Sequence, residues 1–108
     1  MSPSPITVVI EYQALPDKVG QAFSELESLI RTVVATEPDC HGIRLLQEST
    51  DPTQALLYEE WTSREAYLGP HLQTPHIQEF RAKAATLFAG SPKIRFWSGR
   101  AEFPSSSD

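Results

Sequence analysis

Apolar and polar positions alternate along "ITVVIEYQ" (residues 6–13): Ile6, Val8, Ile10 and Tyr12 share one face and Thr7, Val9 and Glu11 the other, which predicts a half-buried strand. The period then lengthens. In "ALPDKVGQAFSELESLIRTVVATEPD", Val19, Phe23, Leu26, Ile30, Val33 and Val34 form the stripe of a helix that Asp17 can cap and that ends before Pro38. "IRLLQES" (43–49) and "ALLYEEW" (55–61), joined by "TDPTQ", read as a strand pair with a longer loop. Thr62 stands three residues before Glu65, the spacing of a capping box, and opens a short helix that Gly69-Pro70 breaks. Thr74 and Pro75 then suit the N-cap and first position of a helix whose stripe, Ile77, Phe80, Ala84, Leu87 and Phe88, runs to Gly90. "KIRFW" (93–97) closes as a strand.

The order β-α-β-β-α-β predicts an α+β domain of split β-α-β type, a four-stranded antiparallel sheet with helices on one face. The second face raises a difficulty, because both alternating residue sets carry large apolar groups: Leu56 and Tyr58 against Leu57 and Trp61, and Ile94 and Phe96 against Trp97. Two helices cannot bury both, so the expectation is a homodimer with the sheets face to face.

Composition narrows the class. With 108 residues, 40% hydrophobic and 21% charged, the chain is one globular domain, expected over residues 6–100 between a flexible start at 1–5 and a tail at 101–108. A net charge of −5 argues against nucleic acid or an anionic membrane surface as partner. The start, "MSPSPITVVIEY", has neither a basic leader region nor an apolar run long enough to span a bilayer, and Cys40 is the lone cysteine, so a cytoplasmic protein is expected.

At "EPDCHG", "EEWTSREAYLGPHLQTPH" and the closing strand the chain resembles the antibiotic biosynthesis monooxygenase (ABM) domain family, across about residues 6–97. The likeness runs closest, in "CHG" and "HLQTPH", to bacterial quinol monooxygenases. It implies a ferredoxin-like subunit in a dimeric α/β barrel, and oxidation of an aromatic quinol or polycyclic phenol by O2 without metal or organic cofactor. The family also resembles isomerases that process autoinducers and monooxygenases that degrade haem, so fold alone does not select the chemistry. The haem branch relies on an Asn in the first strand, a Trp ending the third, and an iron-ligating His one turn into the last helix. Trp61 is kept, but "VVIEYQ" has no Asn and "QEFRAK" no His, which disfavours haem degradation.

A cofactor-free oxygenase needs a dry pocket, a base that turns a phenol into an electron-rich anion, and donors that hold the anion. His71 follows the Gly-Pro break, as a base bordering a cleft or as a surface histidine bonded to a helix end. His76 lies at a helix start, where an imidazole is kept neutral and anions are favoured, or else it only caps and packs. Glu59 and Trp61 alternate to one strand face; Glu59 would pair with Arg44 if buried, or carry a raised pKa if unpaired. The expected catalytic groups are therefore His71, His76 and Glu59, with Trp61, Phe23 and Phe80 as pocket walls and Arg44 and His41 as further substrate contacts. Cys40 reads as a small buried apolar group. His41, His71 and His76 lack the helical spacing of a metal site, so no metal is expected.

Overall fold

The computed structural model describes residues 4–106. The expected order holds, with a one-turn 3-10 segment between the two later helices: β1 Ile6–Gln13, α1 Val19–Thr36, β2 Cys40–Gln47, β3 Gln54–Trp61, α2 Arg64–Leu68, the 3-10 turn His71–Gln73, α3 Pro75–Ala84 and β4 Lys93–Trp97. The strands form one antiparallel sheet in the order β2-β3-β1-β4, which is the ferredoxin-like arrangement. The ends expected at 1–5 and 101–108 fall partly outside the described residues.

Register decides which side chains meet. Val8 stands opposite Glu59 and Phe96, and Ile10 opposite Leu57 and Ile94, so these groups share the helix-facing side. Val8, Ile10, Leu57 and Trp61 from the sheet meet Leu26 and Val33 from α1 and Phe80 from α3 in the core. Val9 stands opposite Tyr58 and Arg95, and Tyr58 opposite Arg44, on the bare side, where Leu46, Tyr58 and Trp97 are 40%, 40% and 52% exposed.

Local chemistry departs from expectation at five places. The first turn of α1 begins at Lys18 with no side-chain cap, so Asp17 does not cap it, and Val34 is exposed because one step along a helix turns about 100° away from the stripe of Leu26 and Val33. β2 spans Cys40–Gln47 rather than 43–49. Cys40 already pairs with Trp61 across a register irregularity at Gly42, whose φ of 155° suits glycine, and after Gln47 the Glu48 carboxylate accepts from the Thr50 N–H in the loop. The cap of α2 is Ser63, whose hydroxyl accepts from Ala66 N; Thr62 is occupied by His41 Nε2 at 2.9 Å and by the Asp39 carbonyl. Finally, α3 stops at Ala84 instead of reaching Gly90. Backbone bonds Leu15 N to Leu87 O and Ala89 N to Gln13 O draw Leu87 and Phe88 out of the helix beside β1, where both remain buried.

Candidate active site

Between the sheet and the helices lies a cavity of about 290 Å³. Ile10, Ile43 and Leu57 form its floor, and Leu29, Ile30 and Val33 of α1 and Ile77, Phe80 and Ala84 of α3 its walls. Few polar groups reach it: Tyr12, Glu59, Tyr67 and His71 inside, and Arg81 and Ser91 besides. Trp61, 1% exposed, packs behind this space and does not fill it.

His71 is positioned by the break in the chain. Pro70 ends the α2 segment and opens the 3-10 turn, and the His71 carbonyl accepts from both the backbone N–H and the hydroxyl of Thr74, the residue that caps α3. The imidazole turns inward, 4% exposed, with its ring centroid 4.5 Å from the Trp61 ring and 4.9 Å from the Tyr67 ring. Its Nδ1 lies 2.9 Å from the Glu37 carboxylate. Glu37 sits at the C-terminal end of α1, and its other oxygen lies 2.6 Å from His76 Nε2, so one carboxylate bridges two imidazoles. Burial lowers the His71 pKa, against the opposing pull of Glu37, which keeps the ring neutral at neutral pH. With Nδ1–H donating to Glu37, the lone pair rests on Nε2. That nitrogen has no protein partner among the described residues, and no fully buried polar side-chain atom there is unpartnered, so Nε2 keeps an accessible face.

Glu59 is the second polar group of the cavity, 3% exposed. Its Oε1 accepts from the Trp61 indole N–H at 2.8 Å. Burial pushes its carboxyl up to about 7, offset in part by that indole bond and reinforced by the negative charge of Glu37. Burial likewise raises the Tyr12 hydroxyl to about 12 and the Tyr67 hydroxyl further, so both remain neutral donors.

Other expected contacts fall elsewhere. Arg44 is exposed on the bare side of the sheet opposite Tyr58, so it neither pairs with Glu59 nor lines the cavity, because successive residues of a strand face opposite ways and it is Ile43 that stands opposite Glu59. Arg95 also faces away. His41 is exposed on the Thr62 hydroxyl, and Phe23 packs in the core away from the cavity. Trp61 touches His71 and Glu59 rather than the cavity, and His76 is linked to it only through Glu37 and, beyond that, His71. Phe80 does line it. Cys40 is buried and its thiol raised to about 11, mainly by desolvation. Sequence reasoning missed Glu37, Tyr12, Tyr67 and Arg81. Glu37 carried a signal: a carboxylate at the negative end of a helix is unfavourable unless something compensates it.

Residues 5–83 match the family described as antibiotic biosynthesis monooxygenase. The chain belongs to that family. Solved structures share its fold: a conserved protein from Methanosarcina mazei Go1 is 24% identical with a TM-score of 0.79, covering 90% of this chain and 94% of that one. PA3566 from Pseudomonas aeruginosa is 24% identical with a TM-score of 0.82, covering 94% and 99%. A protein named antibiotic biosynthesis monooxygenase is 19% identical with a TM-score of 0.79, covering 89% and 99%. At these identities the likeness is one of fold. Among curated proteins none matches the chain by sequence. No helix of the described residues is long and apolar enough to cross a membrane, and no group of three or more His, Cys, Asp or Glu among them is arranged to hold a metal ion.

Proposed function

We propose that this ABM-family protein is a cofactor-independent monooxygenase that oxidises a quinol or polycyclic phenol with O2. The observation that carries the reading is the neutral His71 imidazole on an apolar cavity, with Nδ1 tied to Glu37 and Nε2 left accessible. A phenol with pKa near 10 is mostly protonated at neutral pH, and a base at hydrogen-bond distance speeds its ionisation by about a hundredfold or more. His71 Nε2 takes the phenolic proton. Glu59, protonated below about 7, donates a hydrogen bond to the resulting oxyanion, and the apolar walls exclude water. The electron-rich anion then reduces O2. One aromatic C–H carbon and the phenolic carbon become carbonyls, one oxygen atom enters the ring, and the other leaves as water: phenol plus O2 gives quinone plus water.

The opposite assignment, an isomerase acting on a small phosphorylated keto compound, is favoured by a cationic cavity interior. Arg44 and Arg95 face the other side of the sheet, the cavity walls are aliphatic and aromatic, and the cation among the lining residues, Arg81, is exposed at the edge rather than enclosed within. The working unit in this reading is a homodimer that covers the bare sheet face with a second copy, in the cytoplasm.

The test is O2 consumption by metal-stripped protein against a panel of hydroquinones and naphthols. Turnover well above the spontaneous rate, lost in His71→Ala, supports the reading. A rate equal to the spontaneous one across the panel overturns it.

A further inference from the structure

α3 turns Ile77, Phe80, Arg81 and Ala84 toward the cavity, the i, i+3, i+4, i+7 spacing of a single helix stripe. Three of these are apolar wall residues. The fourth is a guanidinium, exposed to solvent at one end and lining the cavity beside it. Arg81 makes no ion pair among the described residues, whereas its helix neighbour Lys83 is engaged by Glu25 at 3.3 Å. Its charge reaches inward, since it bears on Tyr12, Tyr67 and His71. It does not compensate Glu59, whose principal influences are burial, Trp61 and Glu37. The cavity therefore carries, besides the inner Tyr12, Glu59, Tyr67 and His71, an exposed fork of donors that has no ion pair among the described residues.

We infer that the ligand of this site carries an anionic substituent, a carboxylate or its equivalent, held by Arg81 at the cavity rim while a ring hydroxyl at its far end meets His71 and Glu59. The inference rests on the reading of the cavity as a site for phenols and narrows it to acidic ones. A planar guanidinium matches a carboxylate with two parallel hydrogen bonds, and an Arg within an otherwise apolar stripe, with no carboxylate paired to it among the described residues, is suited to a ligand's. A volume of about 290 Å³ sets the ring system as a compact one. Arg81 would act on specificity and orientation: with the acid end fixed at the rim, the hydroxyl is the end delivered to the base.

The experiment compares two probes by calorimetry on the full chain: a hydroxynaphthoic acid whose two groups lie at opposite ends of the rings, and the naphthol that lacks the carboxylate. The acid is expected to bind about tenfold more tightly at low salt, with the advantage shrinking as salt rises. Arg81→Gln should abolish that advantage and leave naphthol affinity within about twofold, and Arg81→Glu should place the acid below the naphthol. Because Arg81 is exposed, these variants test binding rather than folding. Equal affinity for both probes in the wild type, or an equal loss of both in Arg81→Gln, overturns the inference and leaves the phenol site standing. Binding of neither probe overturns both.

Discussion

Nδ1 of His71 lies 2.9 Å from the carboxylate of Glu37, although 34 positions separate the two in the chain. The contact fixes the tautomer: a carboxylate accepts only from a protonated nitrogen, which leaves the lone pair on Nε2. His71→Ala is expected to lower kcat by about a hundredfold or more with the fold intact. Glu37→Gln, with one acceptor oxygen for two imidazoles, should give an intermediate loss. Circular dichroism and O2 uptake on both variants check this; a Glu37→Gln enzyme with wild-type rate contradicts it.

Glu59 and His71 set opposite pH limits. The base must be neutral, so kcat/KM should rise as His71 loses its proton below the ordinary histidine value of 6.5. The donor must be protonated, so kcat/KM should fall as Glu59 ionises near 7. Glu59→Gln is expected to remove the alkaline limb and keep the acid one. Trp61→Phe deletes the indole bond that holds the Glu59 carboxyl down, and should move the alkaline limb upward. An alkaline limb unmoved in both variants would assign it to another group.

Glu59 also links stability to pH. Its folded pKa of about 7 lies above its ordinary 4.5, so its contribution is fully present below about 4.5 and is lost as pH rises through about 7. Glu59→Gln keeps a bond acceptor for Trp61 without the ionisation. Relative to wild type, it should gain stability between roughly pH 5 and pH 8, by at most about 3 kcal/mol. Urea unfolding at the two pH values measures the difference, and a variant that loses stability over that interval reverses the sign.

Ala84 lines the cavity from α3. Ala84→Phe is expected to occupy part of the 290 Å³ and weaken naphthol binding by about tenfold, while the added contacts hold the melting temperature at or above that of wild type. Calorimetry and thermal unfolding read the two effects separately. Unchanged affinity would place the ligand elsewhere.

Tyr58 and Trp97 lie on the bare side of the sheet with much of their surface open. Light scattering should give twice the 12.0 kDa chain mass, and Tyr58→Arg with Trp97→Glu should reduce it to the single-chain value, since introduced charges are costly to bury. A wild-type protein of one chain mass removes the homodimer from the proposal.

The sequence by itself determined the element order, the sheet, the side of β3 on which Glu59 and Trp61 project and the Thr74-Pro75 start of α3, because these follow from side-chain period and from turn chemistry within a few residues. It also singled out His71 and Glu59 as titratable groups. What only the tertiary structure decided is which partner each one has. Glu37 meets His71 because the end of α1 is carried over to the 3-10 turn, Arg81 enters the cavity because α3 lies across the sheet, and Arg44 is turned away because its register partner is Tyr58 rather than Glu59. Even the end of α3 was settled by distant backbone bonds to Gln13 and Leu15. Periodicity is a property of neighbours along the chain, whereas a tautomer, a shifted pKa and a cavity depend on groups brought together from far apart in it.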